Sequence, residues 1–247
     1  MKSDLPFAGE PGLPSQRALR VREMFERVAP RYDLMNRLMT GGQDVRWRRQ
    51  VIQRAGLKNS ARLLDLGAGT GDLSREALRQ SLGCRPFAAD FSLGMMQAGQ
   101  KQSAVDLRWS AADALNLPFP DQTFDAVVSG FLLRNVVDLP RALREQFRVL
   151  KPGGRMVALD TTRPRPSPLS PFMRFHMRRV IPFLGNLLTG QRDAYVYLPS
   201  SSEQFLSAED LLEQVQAAGF QQAGFQRLMF GAVALHWGRK EDFNHRS

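Results

Sequence analysis

The stretch Leu63-Leu-Asp-Leu-Gly-Ala-Gly-Thr-Gly-Asp-Leu-Ser74 constrains the fold more than any other part of this 247-residue chain. A short apolar run leads straight into three glycines at alternate positions, and a helical pattern opens behind them. That order describes a strand, a tight turn and a helix, the unit of a parallel α/β sheet. The glycines follow G-x-G-x-G, whereas a dinucleotide turn reads G-x-G-x-x-G and offers its helix N-terminus to a pyrophosphate. Asp72 opens the helix, where its carboxylate would repel a phosphate and welcome an ammonium or a sulfonium. Asp65, just before the turn, adds a second acid. The bland alternative is a tight turn that binds nothing.

The surrounding texture agrees with this unit. Short apolar runs at 62–66, 85–90, 105–109, 124–129 and 155–160 alternate with helical patterns, which predicts βαβ units. Ahead of them, 17–56 reads as two or three short helices broken at Pro30 and at Gly41-Gly42. After Asp160 a Pro- and Arg-rich stretch (162–171) and an apolar, basic segment (172–188) interrupt the rhythm. Ser207-Ala-Glu-Asp210 is a capping box, whose helix runs to about Ala218 and stops at Gly219. Strands at 220–230 and 232–239, turning at Gly231, close the chain. The expected fold is α/β, a doubly wound, mostly parallel sheet of seven strands in one domain over 17–240. It divides into a helical lid (17–60), a core (61–160), an insertion (161–200) and a C-terminal helix and hairpin (201–240), between tails at 1–16 and 241–247.

Two further acids follow strands. Asp90 ends the second strand nineteen residues after Gly71, a separation that suits hydrogen bonds from a ribose diol. Alone it could equally be a helix N-cap, since Phe91-Ser92 open a helical pattern. Asp113-Ala114 follows the third strand, where a carboxylate and a neighbouring amide can read an adenine edge; a capped loop is the alternative. Gly67, Gly69, Thr70, Gly71 and Gly130 complete the expected cofactor-binding set with Asp65, Asp90, Asp113 and Ala114.

The net charge of +10 is concentrated in two regions. Arginines crowd 17–62, including Arg46, Arg48 and Arg49. Six more, with no acid, lie between Arg163 and Arg192. Both regions suit phosphates of nucleic acid or of anionic lipid, or are solvated faces without a partner. No run of apolar residues is long enough to span a bilayer. The N-terminus lacks a secretory pattern, and the single Cys84 permits no internal disulfide. These features predict a cytoplasmic chain, with room for peripheral contact at the inner membrane face.

Beyond the Gly-rich turn, the chain resembles the ubiquinone/menaquinone biosynthesis C-methyltransferases, whose seven-stranded layout is that of class I methyltransferases. The family's first signature is matched by Tyr32-Asp-Leu-Met-Asn36 with Trp47, and its second by Arg148-Val-Leu-Lys-Pro-Gly-Gly-Arg155 ending near Asp160. Leu133-Arg-Asn-Val136 is similar to its Arg-Asn-Val element, and Val233-Ala-Leu-His236 with Gly238 and Lys240 to its C-terminus. Thr40 and Asp44 stand where the family usually has Ser and His, and Asp160 where it has Glu.

The resemblance implies S-adenosyl-L-methionine as cofactor and C-methylation of a prenylated quinol. Demethylmenaquinol is the favoured acceptor and a methoxybenzoquinol the alternative. It points to Arg134 for stabilising a phenolate and Asn135 for orienting a water, and to Tyr32 and Asn36 as substrate contacts on the lid. From the isolated residues, Arg134 reads as readily as a surface salt bridge, and Tyr32 as core. The 172–188 segment suits an isoprenoid channel, a docking face for anionic lipid, or an ordinary packed helix. Two rivals share the fold. A nucleic-acid methyltransferase is opposed by the lack of an Asn/Asp-Pro-Pro-aromatic tetrapeptide after the fourth strand. A non-catalytic cofactor binder is opposed by the intact acids.

Overall fold

The computed structural model describes residues 14–81, 83–102, 105–163, 201 and 205–241. The 172–188 segment, and with it the choice among its three readings, lies outside them. Three helices precede the first strand: α1 (Pro14–Val28), α2 (Tyr32–Met39) and α3 (Gln43–Ala55). They break where the sequence predicts. A 3-10 turn over Ala29–Arg31 contains Pro30, and Gly41 and Gly42, both at positive φ, separate α2 from α3.

Seven strands form one sheet: β1 (Arg62–Leu66), β2 (Arg85–Asp90), β3 (Arg108–Ala111), β4 (Phe124–Gly130), β5 (Leu150–Thr161), β6 (Gln221–Leu228) and β7 (Val233–Arg239). Their order is β3-β2-β1-β4-β5-β7-β6, parallel except that β7 runs against both its neighbours. The order reverses between β1 and β4, where open α/β sheets form their ligand crevice. Helices α4 (Asp72–Gln80), α5 (Leu93–Gln102), α6 (Leu139–Val149) and α7 (Ala208–Ala217) complete the described elements. Ser207 and Asp210 form the expected reciprocal cap of α7.

The main differences from the sequence reading fall at the third and fifth strands and at the closing turn, beside shifts of one or two residues elsewhere. The third strand begins at Arg108, which pairs with Phe87, because Val105 and Asp106 remain exposed outside the sheet. The fifth begins at Leu150 rather than 155. Leu150 pairs with Phe124, and Gly153 and Gly154 exchange backbone hydrogen bonds with Lys240. The β6–β7 connection is a 3-10 turn over Met229–Gly231, with Met229 and Phe230 both left-handed.

The two-residue period of the strands sorts their side chains onto two faces. Leu64, Val127, Met156 and Ala158 pack with Leu143 of α6 and Leu211 of α7. Leu63, Val128, Val157 and Leu235 pack with Val51 of α3 and Ala77 of α4. The same alternation turns Asp65 toward α4 and turns Asp160 and His236 toward the α6–α7 side. Lys240, just past β7, donates through Nζ to the carbonyls of Phe147 and Leu150 at 2.8 Å each. It thereby caps the C-terminal end of α6 with a cation where the helix dipole favours one.

Helix α5 lies hard against the Gly-rich turn. A Cβ on Gly99 would sit 2.4 Å from the Thr70 carbonyl oxygen and 2.7 Å from the Trp109 ring. Gly99→Ala is therefore expected to destabilise the fold by about 1–3 kcal/mol, as overpacking does. Thermal unfolding of the variant should show Tm lowered by roughly 2–12 °C; an unchanged Tm would contradict this packing.

Candidate active site

A cavity of about 150 Å³, partly open to solvent, lies at the C-terminal ends of β1, β2 and β4. Gly67 and Gly69 of the turn, Asp90, Asp113-Ala114 and Gly130 all line it, as do Asn135 from the loop after β4 and Tyr32 from the lid. Eight of the expected site residues thus converge. Asp65, Thr70, Gly71, Asn36 and Arg134 are not among its lining residues.

The turn is bare because close neighbours leave no space. A Cβ on Gly67 would meet the Leu132 side chain at 2.8 Å. Asp65, almost wholly buried beneath the turn, accepts hydrogen bonds from the Ser74 amide at 2.9 Å and its hydroxyl at 2.8 Å. This ties the strand to the first turn of α4. Burial pushes the Asp65 carboxyl up to about 7, against those two hydrogen bonds, with the Asp90 and Asp72 charges adding to the rise.

Asp90 is the pivot of the cavity wall. One carboxylate oxygen accepts from the Gly69 amide at 2.7 Å and the other from the Ser92 amide at 2.7 Å. The N-cap of α5 is Ser92, whose hydroxyl accepts from the Met95 amide, so Asp90 is not the helix cap. Burial raises the Asp90 carboxyl and the backbone donors oppose that rise. Asp113 is exposed and accepts from the Leu115 amide at 2.9 Å, which shapes the loop around Ala114.

The expectation for Asp72 needs correction. Its carboxylate does not wait for a cation, because Arg48 lies 2.6 Å away and Arg75 2.5 Å away. Arg48 also contacts Asp44 at 2.8 Å, and Thr40 donates to Asp44 at 3.1 Å. The two positions where this chain departs from the first family signature therefore join one network that pins α3 to α4. Asp33, within the first signature but without an expected role, accepts from the buried Thr70 hydroxyl at 2.8 Å and ties the lid to the turn. Nothing local announces this contact, since the partners are thirty-seven residues apart.

Arg134 is not a surface residue. Its guanidinium donates to Asp160 at 2.6 Å, and the same carboxylate accepts the Arg134 backbone amide at 3.2 Å. Both side chains are buried, and the guanidinium stands over the Phe131 ring. Asp160 thus fixes the 3-10 turn Leu133–Asn135, while Asn135 donates to the Phe131 carbonyl at 2.9 Å. Phe131 is left-handed, a conformation costly for a bulky residue, and its neighbours Gly130 and Leu132 form the cavity wall with it. The Arg134 charge reaches Tyr32: burial raises that phenol above its ordinary value, while Asn36 and then Arg134 lower it. Asn36 therefore holds Tyr32 rather than facing the cavity.

Comparison with known proteins follows this geometry closely. The profile of the ubiE/COQ5 methyltransferase family matches residues 13–240. Over 221 residues the chain is 44% identical to a ubiquinone/menaquinone biosynthesis C-methyltransferase of Desulfotalea psychrophila, covering 89% of this chain and 90% of that one. It is 43% identical over 218 residues to a demethylmenaquinone methyltransferase of Thermus thermophilus, covering 87% and 99%. Among solved structures, a [4+2]-cyclase, SpnF, superposes with a TM-score of 0.67 at 19% identity, covering 91% and 96% of the two chains. A Haemonchus contortus phosphoethanolamine N-methyltransferase bound to S-adenosyl-L-methionine gives 0.59 at 16% identity, covering 80% and 53%. The latter two likenesses speak to fold alone, and their different chemistries illustrate that this fold does not fix a reaction.

Because the folded Asp65 carboxyl titrates near 7 and an unfolded one near 3.9, the native state holds a proton that the unfolded chain releases first. The stability from that proton is present below about pH 4 and is lost as pH rises to about 7. The unfolding free energy of the ligand-free protein, minus that of Asp65→Asn, should fall across this window and level off above it. Denaturant titrations at several pH values check this; a difference that is flat or rising would contradict it.

Proposed function

This chain belongs to the ubiE/COQ5 methyltransferase family, and we propose from that premise that it transfers a methyl group from S-adenosyl-L-methionine to a ring carbon of a prenylated quinol. Demethylmenaquinol is the favoured acceptor, in keeping with the names of relatives such as the Thermus thermophilus enzyme. A methoxybenzoquinol is the second acceptor, in keeping with the double name of the Desulfotalea psychrophila relative. The single observation that carries the cofactor half is the glycine-lined cavity with Asp90 in its wall, both oxygens held by backbone amides.

The residues present fit that cofactor. Gly67 and Gly69 put bare backbone in the cavity wall. The fixed Asp90 carboxylate is an acceptor for a ribose diol, and Asp113 with the Ala114 amide suits the edge of an adenine. When bound, S-adenosyl-L-methionine supplies an electrophilic methyl group on a sulfonium. The chain's own residues then align the acceptor, keep water out and stabilise negative charge on it. A ring carbon becomes nucleophilic once a neighbouring hydroxyl loses its proton, and once methylated it would give up its own hydrogen while the ring oxygen regains one, restoring the aromatic quinol. Asn135, on the cavity wall, orients a water to receive that proton, and Tyr32 bounds the acceptor from the lid.

Arg134 acts one layer behind. Its charge lowers the pKa of Tyr32, and a phenolate beside Tyr32 would lie in the same field. Asp160 keeps that charge in place. The quinol's isoprenoid tail ties the acceptor to a bilayer, so the enzyme works at a membrane surface. No helix among the described residues is long and apolar enough to cross one.

Purified protein with methyl-labelled S-adenosyl-L-methionine should label reduced demethylmenaquinone, and, less efficiently, the reduced demethylated ubiquinone precursor. Label in bulk RNA and in neither quinol would overturn the reading. Arg134→Ala should lower kcat roughly 100-fold, as loss of a charge-stabilising group does, with cofactor affinity within about twofold of wild type. It should also cost about 3–5 kcal/mol of stability, because Asp160 is left buried and unpaired. A variant with near-normal turnover would remove Arg134 from the chemistry.

A further inference from the structure

The outer surface of α2 and α3 is charged in one sense only. Between Tyr32 and Ala55 the two acids turn inward: Asp33 to Thr70 and Asp44, buried, to Arg48. Arg37 and Arg46 are exposed there, beside the large apolar side chains of Leu34, Leu38 and Val45, exposed by 54, 45 and 36%. The α2–α3 connection projects freely, since a Cβ on Gly41 or Gly42 would meet nothing within 4 Å.

A fourth exposed apolar residue stands at the same end of the molecule. The C-terminal end of α3 lies against Arg155, where Gly56 nearly touches its guanidinium, so the N-terminal end of α3 points to the opposite edge of the sheet. That edge carries the C-terminal ends of the parallel strands and the cavity. The β6–β7 turn is there as well, because β7 begins at Val233 opposite Thr161, the last residue of β5. Met229 of this turn joins the same cluster as Trp47, in the first half of α3. Met229 and Phe230 both adopt left-handed φ, and Phe230 is 74% exposed. Phe230 thus adds a large solvent-facing apolar side chain to this end of the molecule.

We propose that Leu34, Leu38, Val45 and Phe230, rimmed by Arg37 and Arg46, form the surface that docks this protein on an anionic lipid bilayer. The inference rests on the quinol reading of the cavity and deepens it. The face lies at the end where the cavity opens, and Tyr32, at the start of α2, belongs to the cavity wall. Leucine and phenylalanine suit the boundary between headgroups and acyl chains, and arginines suit anionic headgroups. Nucleic acid would match the arginines but gives the exposed leucines nothing to bury.

The test uses the full chain and vesicles of phosphatidylcholine with or without phosphatidylglycerol. Wild type should sediment with the anionic vesicles and be released by salt. Arg37→Gln with Arg46→Gln should weaken that binding roughly tenfold or more, since each arginine contributes about 1 kcal/mol near such a surface. Leu34→Gln, Leu38→Gln and Phe230→Gly together should weaken it comparably, the glycine preserving the left-handed turn. Both variants should methylate a detergent-solubilised short-chain quinol at the wild-type rate. Wild type that ignores anionic vesicles would overturn the docking surface. So would variants that bind as wild type does, or binding that instead follows Arg174, Arg178 and Arg179, the arginines of the 172–188 segment. Bulk RNA that competes with vesicles and loses affinity in the same variants would overturn it too. If solubilised quinol is methylated while vesicle binding ignores these side chains, the docking surface alone is wrong. If no quinol is methylated in detergent, the acceptor reading is wrong.

Discussion

The carboxylate of Asp90 is the joint on which the site depends. It accepts from the Gly69 amide with one oxygen and from the Ser92 amide with the other, so one side chain holds the Gly-rich turn and the start of α5 at fixed positions. Asp65 does the parallel task one strand over, holding β1 to α4 through Ser74. Both acids are consequences of the sheet. A residue at the end of a parallel strand faces the crevice where the order reverses, and the two-residue period decides which neighbour it meets. Burying a carboxylate is costly unless donors satisfy it, and here the donors are mostly backbone amides that cannot move away. The result is a wall whose polar groups are arranged before any ligand arrives.

Around that wall the charged residues form two closed sets. Asp44, Arg48, Asp72 and Arg75 join α3 to α4, and Asp33 adds a hydrogen bond from the lid to Thr70. Asp160 and Arg134 join β5 to the loop after β4. The first set explains how Thr40 and Asp44 can replace the family's usual Ser and His without leaving a gap. A hydroxyl still donates, and a carboxylate takes the guanidinium of Arg48. The second explains why the loop carrying Asn135 has one shape, since Asp160 grips both the side chain and the backbone of Arg134.

Much of this was legible in the sequence, for identifiable reasons. Strands 62–66 and 85–90 match the observed β1 and β2 exactly in extent, because their apolar runs are bounded by turn residues and buried on both faces. The capping box and the glycine breaks rest on local rules and appear where expected. The third strand is displaced because Val105 looks like strand but is half exposed, and the register with Phe87 decides the start. The early start of β5 is a pairing with Phe124 and Lys240, contacts with no local signature. The converging site residues were visible as strand-end acids and glycines. What the sequence did not reveal was which acids are already occupied. Asp72 and Asp33 find partners far away in the chain, and Arg134, which alone reads as readily as a surface salt bridge, lies buried against Asp160.

We propose Asp90 and the glycine turn as the seat of the adenosyl cofactor, S-adenosyl-L-methionine rather than a phosphorylated dinucleotide. Titration calorimetry of the purified protein with S-adenosyl-L-methionine and, separately, with NAD tests this most directly, alongside an Asp90→Ala variant. The expected result is saturable binding of S-adenosyl-L-methionine to wild type, weakened roughly 10- to 100-fold in the variant, as loss of a charged hydrogen-bond acceptor implies, and no heat from NAD. Uptake of NAD with indifference to S-adenosyl-L-methionine would contradict it.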